Sequence, residues 1–113
     1  MIRLKRIYDA PEPSDGYRVL VDRLWPRGLA KEKAAVNCWL KEIAPSHELR
    51  KWYSHDPAKW DVFREKYRLE LQAVPHAVRQ LKDIIRSNET VTFLYSSKEV
   101  KLNNAVALKD IVG

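Results

Sequence analysis

The sequence predicts an α/β fold in which helices cover a small β-sheet. Residues 17–22 and 90–96 are short runs rich in β-branched and aromatic residues, as is typical of strands. Between them, residues 60–86 carry apolar side chains at helical spacing. The order strand, strand, helices, strand, helix is the pattern of a sheet that is covered by helices.

The first part of the chain predicts two strands joined by a short loop. Residues 2–8, IRLKRIY, alternate apolar and basic side chains, which is the period of a half-buried strand. Residues 10–16, APEPSDG, contain two prolines and a glycine and are predicted to form a loop. Residues 17–22, YRVLVD, form an almost continuous apolar run that suits a central strand. The loop is short for a crossover between parallel strands, so the sequence leaves the strand order open.

Residues 31–43 fit two interpretations. Residues 31–35 favour a helical turn. From Val36 onward, apolar side chains at every second position permit a strand that ends before Pro45. Ala35, Trp39 and Ile43, however, also fit the stripe of a helix. We favour the strand.

Helix start signals recur in the second half of the chain. Ser46 is predicted to cap a helix over residues 47–53, and Glu48 lies in its first turn, where the helix dipole favours an acid. Asp56 and Pro57 repeat the signal before the next helix. Further helices are predicted after Pro75 and over residues 105–112, with a break at 87–89 and a loop at 97–104.

Length and composition limit the class of protein. A chain of 113 residues suits one compact domain, so residues 1–113 are predicted to form a single domain. The net charge of +6 favours anionic partners such as nucleotides, nucleic acid or an acidic protein. Cys38 is the only cysteine, which rules out a disulfide within the chain and fits a reducing compartment. No apolar run has the length of a signal peptide or membrane span, so we expect a cytoplasmic protein without membrane contact.

Several chemical signatures are absent from the sequence. The three histidines and the single cysteine have no recognisable metal-ligand spacing. The chain has no Walker loop, no Gly-x-Gly-x-x-Gly motif and no nucleophile turn. The sequence therefore predicts neither a metal nor a cofactor, and leaves open whether the protein is an enzyme.

Four stretches together resemble one known family. They are YRVLVDRLWPRG, WLKEIAPS, ELRKWYSHDPAKWDVFREKY and TVTFLYSSKEVKLNNAVALK. They are similar to the YeaO-like family of small bacterial proteins, a branch of a larger superfamily of domains of unknown function, over nearly the whole chain. The resemblance implies a small Rossmann-like α/β domain with three to four mostly parallel strands covered by helices, in which LVDR ends a central strand.

The resemblance also bears on chemistry. In the wider superfamily, the last strand is typically followed by a cysteine and a glutamate, and then by a Cys-His-Arg cluster. Here the corresponding positions carry Ser96 and Ser97, and then Asn103, Asn104 and Ala105. Because the thiol and the imidazole are both missing, the resemblance implies a ligand-binding site without the chemistry of the cysteine-bearing relatives.

Polar residues follow the two strongest predicted strands, at the edge where open α/β sheets bind ligands. Arg23 and Arg27 offer forked donors for a phosphate or a carboxylate, and Asp22 is placed to hold one fork or to contact a ribose hydroxyl. Asn104 lies at a helix N-terminus, which attracts anions. The predicted ligand-binding residues are Asp22, Arg23, Arg27, Lys41, Tyr95, Ser97 and Asn104.

Structural roles compete with these functional ones. Asp22 and an arginine could lock the turn, since arginine pairs also serve as structural staples. For Trp25 we favour packing in the core over stacking on a base. Asn103 is better explained as a helix cap, and His55 as an exposed loop residue than as an acid or base.

The aromatic residues of the central helices also allow two interpretations. Lysines and arginines are interleaved with four aromatic residues, Trp52, Trp60, Phe63 and Tyr67. This combination also occurs in proteins that bind single-stranded nucleic acid. At helical spacing such a stripe is more often core, and we favour core.

Three hypotheses of function follow from the sequence. The leading one is a domain that binds an anionic ligand, a nucleotide or a nucleic-acid phosphate, without catalysis. The second is an enzyme that acts on nucleotide-like substrates with Asp22 as acid or base. The third is a protein-interaction module, with a homodimer left open, whose basic face meets an acidic partner.

Overall fold

A four-stranded sheet forms the centre of the computed structural model, which describes all residues from 1 to 113. Its spatial order is β1, β4, β2, β3, and every neighbouring pair is parallel. The strands are β1 (Ile2–Arg6), β2 (Tyr17–Leu20), β3 (Cys38–Trp39) and β4 (Val91–Tyr95). The predicted α/β fold with a small Rossmann-like sheet is therefore confirmed.

Five helices surround the sheet, and the helix caps predicted at Ser46 and Asn103 are confirmed. The cap predicted at Asp56 is also present, but it begins the 3-10 turn Pro57–Lys59 that precedes the next helix. Ser46 Oγ accepts a hydrogen bond from the Leu49 N–H at 3.1 Å, and Asn103 Oδ1 accepts one from the Val106 N–H at 3.0 Å. None of the helices combines the length and the apolar character needed to cross a membrane. The helices are α1 (Lys31–Ala34), α2 (His47–Tyr53), α3 (Trp60–Gln72), α4 (Pro75–Ser87) and α5 (Asn104–Val112), with short 3-10 turns at Pro13–Asp15, Lys41–Ile43 and Pro57–Lys59.

The ambiguous segment forms a strand at Cys38–Trp39 alone and then turns into the 3-10 turn. The Asn37 side-chain oxygen accepts a hydrogen bond from the Arg18 N–H at 2.8 Å just before the strand begins. On the other side, the Leu40 N–H donates to the Leu20 carbonyl at 3.0 Å. The strand interpretation is thus confirmed, in a form much shorter than predicted.

Alternation along the strands divides the core into two unequal parts. Val19, Val91 and Phe93 face a cluster of 17 buried residues that includes the inner faces of α2 to α5. Leu20 and Leu94 face a cluster of four buried residues on the opposite side. Because burial of apolar area drives folding, most of the hydrophobic stabilisation comes from the helical face.

Residues 7–16 cross the smaller face from the end of β1 to the start of β2. Since β4 lies between these strands, the crossover moves about 10 Å sideways and about 13 Å back along the sheet. Ten residues reach up to about 33 Å when extended, so no helix is needed. This is why a loop that looked short for a parallel crossover suffices.

A buried ionic cluster fastens this crossover. Asp15 accepts hydrogen bonds from Arg18 Nη1 at 2.5 Å and from Lys5 Nζ at 3.2 Å. Arg18 also donates to the Ala34 carbonyl at 2.7 Å, which ties α1 to the same face. Burial by itself would raise the pKa of Asp15, but the Glu12 N–H and the two cations outweigh it and lower that pKa below its ordinary value.

Candidate functional site

A cleft of about 450 Å³ opens where β2 and β4 end. One wall consists of Asp22 after β2, Ser96 and Ser97 after β4, and the start of α5. The opposite wall is α2 and the turn that follows it. The volume lies within the usual range for small-molecule sites, and the position is the edge at which α/β sheets bind ligands. We refer to it as the site cleft.

Asp22 joins three elements at the base of the site cleft. Its Oδ2 accepts hydrogen bonds from the backbone N–H and the hydroxyl of Ser96, both at 2.8 Å. Its Oδ1 accepts one from the Asn104 side-chain amide at 3.1 Å, and that amide also donates to the Val21 carbonyl. Asp22 is only 7% exposed, and these partners are all neutral donors. The carboxylate therefore links the ends of β2 and β4 to the start of α5.

Helix α2 presents a stripe of polar side chains to the site cleft. His47, Arg50, Lys51 and Ser54 are spaced i, i+3, i+4 and i+7, so they share one side of the helix. The buried Leu49 lies on the other side of the helix and anchors it in the core. Two permanent cations and two further polar side chains of α2 thus line the cleft, and no carboxylate lies on this wall.

The chain turns sharply at the rim of the site cleft. Ser54 and His55 have φ angles of 46° and 55°, in the left-handed region that is unfavourable for residues other than glycine. The Ser54 N–H donates to the Arg50 carbonyl and the Asp56 N–H to the Tyr53 carbonyl, both at 3.0 Å, which closes the turn. This turn places His55 among the residues that line the cleft.

Tyr53 ties α2 to the loop before α5. Its hydroxyl donates a hydrogen bond to the Leu102 carbonyl at 2.8 Å. Burial raises the pKa of Tyr53, with smaller contributions from the negative charges of Glu99 and Asp56. The phenol therefore stays protonated and keeps this bond, which fixes the separation of the two cleft walls.

Three of the seven predicted site residues line the site cleft: Asp22, Ser97 and Asn104. Tyr95 does not, because its side chain packs in the core behind the cleft with 4% exposure, and burial raises its pKa. Lys41 lies outside as well. Its ammonium sits over the Trp39 ring, 4.2 Å from the centroid, at the far edge of the sheet.

Neither Arg23 nor Arg27 lines the site cleft, contrary to the expectation that both gather there. The Arg23 guanidinium donates to the Ala44 carbonyl at 2.9 Å and to the Pro45 carbonyl at 3.4 Å, which holds the segment before α2. Arg27 is exposed, and its carbonyl accepts a hydrogen bond from the hydroxyl of Tyr8, which lies in the crossover from β1.

Trp25 explains why the two arginines separate. Its indole N–H donates to the Leu29 carbonyl at 2.7 Å, and its ring packs edge-on against Trp39 with centroids 5.5 Å apart. This packing draws Trp25 and the residues that follow it onto the smaller face of the sheet, away from the cleft. The structural role favoured for Trp25 is confirmed.

The core interpretation of the aromatic stripe is also confirmed. Phe63 and Tyr67 are fully buried, and Phe63 stacks on Tyr53 with centroids 4.3 Å apart. Trp52 is half-buried, and the ammonium groups of Lys59 and Lys66 lie 5.0 and 4.3 Å from the centroids of its rings. These cations cover a core residue rather than extending an aromatic binding surface.

The polar residues that follow the strands do not predict the α2 wall. Its signal was present in the sequence, since His47, Arg50, Lys51 and Ser54 recur at helical spacing on the side away from Leu49. What the sequence did not reveal is that these residues line the same cleft as Asp22.

Comparison with known proteins identifies the family. The model of the family DUF488-N3i, described as the "Inactive DUF488-N3 subclade", matches residues 1–113. The chain is 46% identical to the uncharacterized protein YeaO of Escherichia coli K12 over 109 residues, which cover 96% of this chain and 94% of YeaO. It is 37% identical to the uncharacterized protein Rv3073c of Mycobacterium tuberculosis H37Rv over 111 residues, which cover 98% and 92% of the two chains. No solved structure matches. The chain therefore belongs to the YeaO-like DUF488 family, within the DUF488-N3i subclade.

Proposed function

We propose that the site cleft binds a small anionic ligand, and that a phosphate ester such as a nucleotide matches it best. The observation that carries this proposal is the α2 wall, where His47, Arg50 and Lys51 line the cleft with no carboxylate among them. The forked guanidinium of Arg50 and the ammonium group of Lys51 lie on one wall, and both favour a phosphate group. The N-terminus of α5 on the opposite wall adds the positive end of a helix dipole.

Each wall would have a distinct part in binding. Arg50 and Lys51 would contact the phosphate, and Ser97 and Asn103 line the opposite side. Leu24 is 68% exposed at the cleft and offers apolar surface to a base or another flat group. The ligand would therefore lie between charged and apolar contacts.

Binding without catalysis is supported over the enzyme hypothesis. Both oxygens of Asp22 already accept hydrogen bonds from Ser96 and Asn104, so this carboxylate is held as a scaffold. The family model is described as inactive, and the positions of the superfamily's cysteine and histidine carry other residues here.

Thermal unfolding with and without anions tests the proposal. We expect AMP, a sugar phosphate or inorganic phosphate, supplied at low ionic strength, to raise the melting temperature with concentration, since a hundredfold excess over Kd adds about 2.7 kcal/mol to stability. The double variant Arg50→Ala, Lys51→Ala should lose this shift and keep its fold, because both side chains are exposed.

A matched control separates a site from general electrostatics. The variant Arg27→Ala, Lys41→Ala removes the same two charges from outside the cleft, and we expect it to retain the shift. Equal loss in both double variants would show that binding is diffuse. Absence of a shift with every anion would refute the proposal.

A further inference from the structure

A second basic surface lies between α3, α4 and α5, away from the site cleft. It is a groove of about 520 Å³ whose floor is formed by the apolar side chains of Leu71, Val78 and Ile111. Four cations line it: Arg68 from α3, and Arg79, Lys82 and Arg86 from α4. It shares no residue with the site cleft, and we call it the helical groove.

No carboxylate lines the helical groove. Arg68 and Arg86 form ion pairs with Glu65 and Asp83, each three residues earlier on the same helix and more than half exposed. Exposed pairs of this kind contribute about 0–1 kcal/mol, so they are readily exchanged for a partner's carboxylates. Arg79 and Lys82 make no ion pair and are both exposed, which leaves their full charge facing solvent.

The apolar floor restricts what the helical groove can hold. Val78 and Ile111 are only half-buried, so apolar surface remains accessible between the cations. A nucleic-acid backbone would meet the cations and leave this floor unused. A purely apolar segment would fill the floor and leave the cations unneutralised. An amphipathic helix with acidic flanks satisfies both features.

We propose that the helical groove docks an acidic amphipathic helix of a partner protein. Apolar side chains of that helix would lie on Val78 and Ile111, and its carboxylates would meet Arg79 and Lys82. An acidic partner fits the groove better than a second copy of this chain, because two copies each carry a net charge of +6 and repel one another.

Titration with designed peptides tests this docking. The probe peptide carries leucine at i, i+3, i+4 and i+7 with glutamate on both flanks, and a scrambled peptide of equal composition removes the apolar stripe. We expect the patterned peptide to bind at least tenfold more tightly and to shift the NMR signals of the Val78 and Ile111 methyl groups. The double variant Arg79→Glu, Lys82→Glu should weaken its binding at least tenfold.

Matched charge reversal completes the experiment. The variant Lys31→Glu, Lys33→Glu changes the net charge equally at exposed positions on α1, and should leave peptide affinity within about twofold at physiological salt because surface charges beyond about 8 Å are screened. Equal binding of the patterned and scrambled peptides would overturn the proposal, as would no binding. Tighter binding of a single-stranded oligonucleotide that is lost with Arg79→Glu, Lys82→Glu would instead identify a nucleic-acid surface.

Discussion

Replacing Asp22 by asparagine changes one acceptor into a donor at the junction of β2, β4 and α5. In the wild type, the backbone N–H and the hydroxyl of Ser96 both donate to Asp22 Oδ2. The amide oxygen of asparagine can accept the same two hydrogen bonds. The new NH₂ group then replaces Oδ1, which lies 3.1 Å from Asn104 Nδ2 in the wild type. Two donors then face each other, and no hydrogen bond can form between them. The substitution preserves shape and volume, so its effect reports the hydrogen bonds.

Two contributions set the size of the effect. A buried donor left without a partner costs about 1–3 kcal/mol. The Ser96 bonds also lose their ionic character, and charge-assisted bonds are roughly twice as strong as neutral ones. We expect Asp22→Asn to lower the free energy of unfolding by about 3 kcal/mol. With a urea m value of about 1.5 kcal/mol/M, the midpoint falls by about 2 M.

Urea denaturation of a double-mutant cycle provides the assay. Adding Asn104→Asp to Asp22→Asn restores a donor–acceptor pair with the two roles exchanged. The double variant should therefore lose less unfolding free energy than the sum of the two single variants, by about 1 kcal/mol or more. Rescue is incomplete because the Val21 carbonyl loses its donor. Additive losses, or a single-variant loss below about 0.5 kcal/mol, would refute the role of Asp22 as the link between these elements.

Two further predictions concern the smaller face of the sheet. Gly16 and Gly28 both have positive φ, but a Cβ at Gly16 would lie 2.2 Å from the Thr90 carbonyl oxygen, whereas one at Gly28 meets nothing within 4 Å. Thermal unfolding should therefore show a severe loss for Gly16→Ala and a loss of only about 1–2 kcal/mol for Gly28→Ala; equal losses would contradict the steric argument. Folding lowers the pKa of Asp15 from its ordinary value of 3.8. The ionised carboxylate therefore stabilises the fold at pH values above 3.8, and this stabilisation is lost as the pH falls through the lower pKa of the folded state. Urea midpoints should accordingly drop below about pH 4 in the wild type and drop less in Asp15→Asn; parallel pH profiles would show that another group is responsible.

Local signals made much of the fold predictable. The caps at Ser46 and Asn103 depend on a side chain and a backbone N–H three residues away, so sequence spacing suffices to find them. The β4 run is buried at all five positions, as its uninterrupted apolar and β-branched character indicates. Strand β3 was harder, because its two residues owe their conformation to pairing with β2 rather than to their own pattern.

The candidate site was predictable only in part. Asp22, Ser97 and Asn104 lie directly at the ends of β2 and β4 or at the start of α5, so the parallel sheet brings them to one edge. Arg23 and Arg27 follow the same strand, but their placement depends on where the next turn packs. One binds carbonyls before α2, and the other is carried away with Trp25.

Local sequence patterns were enough to predict the α/β class, the helix starts and the polar ends of two central strands, because each depends on periodicity or on contacts between near neighbours. Long-range packing set the position of β4 between β1 and β2 and the path of the crossover over the smaller face, and it brought Arg50 and Lys51 into the same cleft as Asp22. The physical reason is that a helix is oriented by the core it packs against. The polar stripe of α2 lies opposite Leu49, but the element that shares a cleft with it depends on the distant core partners of Leu49, which no local pattern encodes.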